Sequence, residues 1–144
     1  MKHQVVLLTC LALVAFVLAV MAQTQNELRN KYGPPDARGR YSARPGVAVS
    51  AKYKGQKLAQ LRIEPSELGD ANNSARVMAS DVAETVLDEL VPKDKRGKMG
   101  SKSVAEFGCN SVEYLDYRNL KLTTSRRCYE GGGGTYSITA EWKE

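Results

Sequence analysis

Three groups of residues could do chemistry in this chain: carboxylates on one periodic segment, a basic run and two cysteines. Asp81, Glu84 and Asp88 are spaced three and four residues apart, which brings their side chains together on one face of a helix. Glycosidases use paired carboxylates, but they place them on opposite sides of a bound substrate. The spacing therefore favours a solvated helix face, and a carboxylate-based hydrolase is the alternative from the enzyme class.

The second group is a basic run between residues 93 and 102. It holds five basic residues against one acidic residue, Asp94. Such a segment could bind nucleic acid, anionic headgroups or acidic polysaccharide, although no aromatic residues are interleaved for base stacking. A solubilising loop is the competing interpretation. The candidate anion-binding residues are Lys93, Lys95, Arg96, Lys98 and Lys102.

The N-terminal segment predicts export. A weakly positive start precedes an uncharged run of 18 residues from Val5 to Ala22, and Val20-Met21-Ala22 fits the small-residue rule for signal peptidase. We predict a signal peptide over residues 1–22 and a single secreted or periplasmic domain over residues 23–144. Because 18 apolar residues can just cross a bilayer, an uncleaved anchor is the alternative.

Cleavage after Ala22 changes which chemistry is possible. It removes His3, the only histidine, so histidine triads and histidine metal sites are excluded. The net charge falls from +5 to +4 with the loss of Lys2. Two cysteines remain, Cys109 and Cys128, and in an oxidising compartment they predict one disulfide. We predict no catalytic residue, metal site or cofactor.

Apolar periodicity defines the elements that must position these groups. Residues 24–31 can form a short helix, and residues 37–46 read as an irregular basic connection. Alternating apolar residues then predict a hairpin. If Tyr53 faces Lys57 across its turn, Val49 lies opposite Leu61.

The strongest periodic segment follows this hairpin. Apolar residues recur every four positions from Met78 to Leu90, which predicts an amphipathic helix that ends before Pro92. Residues 93–103 are predicted to form a charged loop. A last strand follows the four glycines 131–134, which are expected to act as a flexible link.

The segment between the cysteines predicts its own register. The position numbers of Cys109 and Cys128 have the same sum as those of Arg118 and Asn119, where a tight turn would reverse the chain. A hairpin centred there sets Leu115 opposite Leu122 and the two cysteines opposite each other. It also sets Asp116 opposite Lys121, a favourable charge pair.

Together these elements predict an α+β domain. An antiparallel sheet of about five strands would be covered by one long amphipathic helix, with a short helix at the N-terminus. No nucleotide-binding βαβ pattern occurs.

Two resemblances follow from the order of these motifs. The stretch Glu27–Asp36 (ELRNKYGPPD) before a hairpin resembles the opening of SmpA/OmlA-type outer-membrane assembly lipoproteins, over residues 25–64. The chain lacks their lipobox cysteine at the mature start. As a whole, with its ARPG, RIEP and cysteine-containing hairpin, it is more similar to uncharacterised exported proteins of soil bacteria. That resemblance implies no activity and transfers no functional residue.

The leading hypothesis is a non-enzymatic exported domain that contacts protein or cell-envelope material. Tyrosine is favoured at interfaces, and all seven tyrosines follow the predicted signal peptide. Polyanion binding through residues 93–102 and carboxylate-based hydrolysis are the alternatives. We predict no membrane span after cleavage and find no specific nucleic-acid motif.

Overall fold

The computed structural model of the chain describes residues 25–67, 76–129 and 132–144. The predicted signal peptide lies outside the described residues. Within those ranges, no helix combines the length and apolar character that crossing a bilayer requires. The elements in chain order are α1 (Gln25–Tyr32), β1 (Tyr41–Arg44), β2 (Val47–Lys54), β3 (Lys57–Pro65), α2 (Ser80–Leu90), α3 (Lys93–Arg96), β4 (Met99–Phe107), β5 (Asn110–Tyr117), β6 (Leu120–Tyr129) and β7 (Gly132–Trp142).

The strands form one antiparallel sheet in the order β1-β2-β3-β7-β6-β5-β4. It consists of two meanders, β1–β3 and β4–β7, in which neighbours in sequence are neighbours in space. The meanders meet where β3 pairs with β7, over four residue pairs from Gln60↔Glu141 to Ile63↔Ile138. We call this junction the seam.

The core lies on one face of the sheet, the inner face, beneath α1 and α2. Helix α2 buries Ala83, Val86, Leu87 and Leu90 and contacts β1, β3 and β7. Helix α1 buries Leu28 against β1. The cross-strand row Leu61↔Ala140↔Leu122 is fully covered, as expected for inward positions of an antiparallel sheet. The helices therefore cover the centre of the sheet and its β1 side.

The predicted fold class is wrong in its architecture. Among the described residues the sheet has seven strands, not about five, and no long helix covers it, because α2 has only 11 residues. The two missed strands are β1, within the predicted irregular connection 37–46, and β4, which begins inside the predicted loop 93–103 and covers residues 99–103 of it. Strand β1 is four residues long, and β4 has no apolar alternation because neither of its faces is buried.

The first hairpin has the predicted strands in a shifted register. Val49 lies opposite Ile63 instead of Leu61. The two-residue turn Gly55-Gln56 shifts the pairing by one residue, and an irregularity between Lys52 and Tyr53 shifts it by one more. A shift by two residues leaves each side chain on its own face, so Leu61 and Ile63 face the core as predicted. Leu58, predicted on the opposite face, is buried as well, because it lies beyond the irregularity.

The second hairpin confirms the predicted register. Leu115 lies opposite Leu122 and Asp116 lies opposite Lys121. Cys109 and Cys128 form a disulfide with their Cα atoms 6.0 Å apart. Cys109 itself lies in the turn between β4 and β5, so the bond ties the tip of that hairpin to β6.

The glycine run is not a link between elements, since Gly132–Gly134 are the first residues of β7. The backbone of Met78 crosses Gly134, and Met78 exchanges two hydrogen bonds of 2.8 and 3.0 Å with Thr135. A Cβ atom on Gly134 would lie 2.4 Å from the Met78 carbonyl oxygen. The absence of a side chain at this position is what lets the segment before α2 pair with the sheet.

Candidate interaction surface

The edge strand β4 is exposed along its length. Of its nine residues only Ala105 is partly covered, and the other eight are exposed. One side of the strand pairs with β5, while the other side has no neighbouring strand among the described residues. Such an edge presents unpaired backbone N–H and C=O groups to solvent. Exposed edges of this kind are sites where another chain can add a strand.

An apolar patch lies on the outer face of the β4–β5 hairpin, opposite the helices. On this face Ala105 pairs with Val112, and Ser103 pairs with Tyr114. Phe107 lies on the same face, two residues after Ala105. Phe107 is 64% exposed and Tyr114 is 47% exposed. We call Ala105, Phe107, Val112 and Tyr114 the outer patch. Two exposed aromatic side chains beside a free strand edge are typical of surfaces that bind proteins.

The inner face of the same hairpin extends beyond the helices. Glu84 of α2 reaches Arg126 of β6 at 3.3 Å. On β4 and β5 the inner face carries an ion pair of 2.6 Å between Lys102 and Glu113, and Val104 is 49% exposed. The hairpin therefore projects from the covered part of the domain with both faces accessible.

The base of β4 is fixed by α3. Arg96 is 95% buried, donates a hydrogen bond of 2.9 Å to the Val91 carbonyl oxygen and pairs with Asp88. The carbonyl oxygens of Lys95 and Arg96 accept hydrogen bonds of 2.9 and 3.1 Å from Asn119, in the turn between β5 and β6. These contacts anchor the strand where it leaves the covered region, so its projection is defined.

Lys143 binds the same base of the hairpin from the β5 side, where Tyr117 pairs with Met99. Its ammonium group lies 2.6 Å from the Asp116 carboxylate and donates a hydrogen bond of 2.5 Å to the Tyr117 carbonyl oxygen. The hydrogen bond from Lys143 lowers the pKa of Asp116 below its usual value of 3.8. The C-terminal segment is thereby tied to the end of β5.

Of the five predicted anion-binding residues, three lie on α3, Lys102 lies on β4, and only Lys98 lies in the short connection between them. Arg96 is buried, and Lys93 lies 3.6 Å from Asp88. Lys95 and Lys102 also have carboxylate neighbours, Asp94 and Glu113. Only Lys98 is exposed without an ion pair among the described residues. Exposed ion pairs are weak, so anion binding stays a prediction, but Arg96 cannot contribute to it without leaving the core.

Two of the three predicted carboxylates pair with basic residues, whereas Asp81 is exposed without an ion pair among the described residues. Asp88 pairs with Arg96 and Lys93, and Glu84 pairs with Arg126. Across the described ranges, no group of three or more His, Cys, Asp or Glu side chains could hold a metal ion. This arrangement is that of a solvated helix face whose charges fasten α2 to its neighbours.

An apolar cleft occurs at the C-terminal end of α2. Its volume of about 200 Å³ is below the usual range of small-molecule sites, about 300–1,000 Å³. It is lined by Leu58, Glu89, Leu90, Val91, Pro92, Lys95 and Trp142. This cleft is therefore too small for a typical small-molecule ligand.

The sequence analysis named the tyrosines as candidate contacts but could not tell which of them are buried and which are exposed. The structure buries Tyr41 and exposes Tyr114 and Tyr129. Phe107 was missed altogether, because it lies in a stretch without alternation. The one signal that could have found it is its position directly before the Gly108-Cys109 turn, where a strand had to end.

Comparisons with known proteins identify no family. No family model and no curated protein matches the chain. A crystal structure of an extracellular protein containing an SCP domain from Bacillus anthracis aligns with a TM-score of 0.33 and 12% identity. The alignment covers 88% of this chain and 45% of that protein, so the chain spans less than half of its length. A likeness this weak supports no conclusion about fold or function, and the resemblance to SmpA/OmlA-type lipoproteins stays a prediction.

Proposed function

We propose that this protein is an exported binding domain that contacts a protein partner through the outer patch. The observation that carries the proposal is the exposure of Phe107 and Tyr114 on one face of a hairpin that projects beyond the helices. Soluble domains seldom leave contiguous apolar side chains in water unless they serve binding. The patch carries no charge, which favours a protein partner over a polyanion.

Export is the second part of the proposal. It is supported by the signal-like sequence of residues 1–22 and by the disulfide between Cys109 and Cys128, a bond that persists in oxidising compartments. N-terminal sequencing of the protein recovered outside the cytoplasm should start at Gln23. Recovery of a species that retains Met1 in the membrane fraction would show an anchor instead.

The binding surface can be mapped by site-specific photo-crosslinking in the native host. A photoreactive phenylalanine analogue would replace Phe107 or Tyr114 and, as a matched control, Lys52, an exposed residue of β2 far from the hairpin. We expect adducts with a protein of different mass from the two hairpin positions and none from Lys52. Equal adducts from all three positions, or none, would contradict the proposal.

A further inference from the structure

Strand β4 has a free edge whose polar groups can be assigned residue by residue. Phe107 and Asn110 close the two-residue turn between β4 and β5, which makes them a hydrogen-bonded pair. Hydrogen-bonded and non-hydrogen-bonded pairs alternate along an antiparallel ladder. The backbone N–H and C=O groups of Lys102, Val104 and Glu106 therefore point away from β5, to the free edge.

These three residues also share the inner face of the hairpin. Lys102 and Glu106 lie two positions to either side of Val104, one with a positive and one with a negative charge. Val104 is 49% exposed, and Glu106 is exposed without a partner among the described residues. The edge is thus self-complementary about Val104.

We infer that a second copy of this chain binds here, with the two β4 strands antiparallel about a twofold axis at Val104. Val104 then lies opposite Val104 of the second copy, and each Lys102 lies opposite Glu106 of the other copy. The edge-facing amides of all three residues gain partners. Symmetric dimers use one surface twice in this way, and strand addition at a free edge supplies the backbone hydrogen bonds.

Charge selects this register over its neighbours. A twofold axis at Lys102 or at Glu106 would place like charges directly opposite each other, which is destabilising in a sheet. An axis at Ser103 would set Lys102 opposite Val104 of the second copy, without a charge partner. On the outer face, the axis at Val104 sets Phe107 opposite Ser101 of the second copy, which covers part of that exposed ring.

The inference goes beyond the proposed function, because it concerns the edge of β4 instead of the outer patch and names the partner as a second copy of this chain. The two outer patches would lie side by side on one continuous sheet of fourteen strands, seven from each copy. A dimer would therefore offer two copies of the patch to a partner.

The first test is the mass of the exported protein in solution by sedimentation velocity over a range of concentrations. We expect a dimer that dissociates on dilution. Val104→Pro removes an edge-facing N–H but no hydrogen bond to β5, and proline is tolerated on edge strands. It should weaken the dimer roughly tenfold or more, since two backbone hydrogen bonds across the axis are lost. Val104→Thr keeps the N–H and is the matched control that should still dimerise.

The second test fixes the register by charge exchange. Lys102→Glu alone sets glutamates opposite glutamates, and Glu106→Lys alone sets lysines opposite lysines, so each variant should be monomeric. Mixing the two variants restores both opposite-charge pairs, and a heterodimer should form. Circular dichroism of each variant shows that it is folded before mixing.

A wild-type protein that stays monomeric at the highest concentration, or a mixture that does not associate, overturns the inference. The partner proposal is judged separately, by the mass of the photo-crosslinked adduct. A monomer that crosslinks to a different protein keeps the proposed function and rejects the dimer. If the protein is a dimer and its outer patch crosslinks only to a second copy, the dimer inference is kept and the proposed function is rejected.

Discussion

The two edge strands of the sheet, β1 and β4, differ in length, in burial and in what covers them. Strand β1 has four residues, a register shift between Ser42 and Arg44, and two buried side chains, Tyr41 and Ala43. Helix α1 packs against it, and Arg44 pairs with Glu89 of α2. Strand β4 has nine residues and no buried side chain.

The difference shows which edge the fold protects. Short length, irregular pairing and a covering helix are the means by which proteins keep an edge from pairing with other chains. The β1 edge has all three. At the β4 edge, the register shift lies only at the beginning of the strand, between Met99 and Ser101, and the lysine at position 102 is balanced by Glu106. The sheet thus has one closed edge and one open edge, and the following experiments test that distinction.

Removal of the disulfide should have the largest effect. We expect Cys109→Ser combined with Cys128→Ser to cost roughly 3 kcal/mol of unfolding free energy, because a bond between residues 19 positions apart restricts the unfolded chain. Amide exchange should rise more in β4 and β5 than in β1 to β3, because the bond holds the tip of the projecting hairpin. Reduction of the wild-type protein is the control and should reproduce both changes. Faster exchange in β1 to β3 alone would contradict the assignment.

A matched pair of valine truncations compares the covered and open parts directly. Val49 is fully buried, whereas Val104 is 49% exposed. We expect Val49→Ala to cost about 2–3 kcal/mol and Val104→Ala less than about 0.5 kcal/mol. Urea unfolding followed by the fluorescence of Trp142, the only tryptophan, measures both. Equal costs would mean that β4 is covered.

Glycine substitutions in β7 test how the covered part is assembled. We expect Gly134→Ala to cost about 1–3 kcal/mol, because its Cβ would collide with the Met78 carbonyl oxygen. Gly132→Ala is the control, since its Cβ would come no closer than 3.4 Å to a neighbouring atom, at the end of the Tyr129 side chain. Thermal unfolding of the two variants gives the comparison. Similar melting temperatures would show that Met78 does not pair with β7.

The smallest expected effect is the pH dependence of the ion pair at the base of the projecting hairpin. Lys143 lowers the pKa of Asp116 in the folded protein, so this carboxylate stabilises the fold above its unfolded pKa. That contribution is lost as the pH falls below about 4 and through the lowered pKa. We expect Asp116→Asn to be slightly less stable than wild type at pH 7, with the difference shrinking as the pH falls through the lowered pKa. A stability difference that is independent of pH would exclude this pairing.

Sequence reasoning succeeded where several signals agreed. The register of β5 against β6 followed from apolar pairs, a charge pair and two cysteines that all share one centre. The first hairpin kept Leu61 and Ile63 on the core face but not its register, because the sequence fixes neither the length of its turn nor the irregularity between Lys52 and Tyr53. The helix over Met78–Leu90 was correct from Ser80 onward, while Met78 pairs with Thr135 instead.

The open edge could not be predicted, because an alternation of apolar residues marks only strands that have one buried face. Residues of β4 alternate between two exposed faces, so no apolar pattern marks them as a strand, and their charges suggested a loop. The buried Arg96 was equally hidden, since its role depends on Asp88 and Val91, which only the fold brings beside it. The features most relevant to binding were therefore those that the sequence showed least.

The seam between the two meanders has a consequence for how the chain folds. Every other pair of neighbouring strands is joined by a short local connection, but Ile63 pairs with Ile138, 75 positions later. Closing so long a loop is slow and entropically costly, so we expect each meander to form first and the seam last. Helix α2 contacts both β3 and β7, so the core can be completed only at that final step. Until then β3 and β7 each leave one edge without a neighbouring strand, so the chain is most exposed to aggregation before the seam forms.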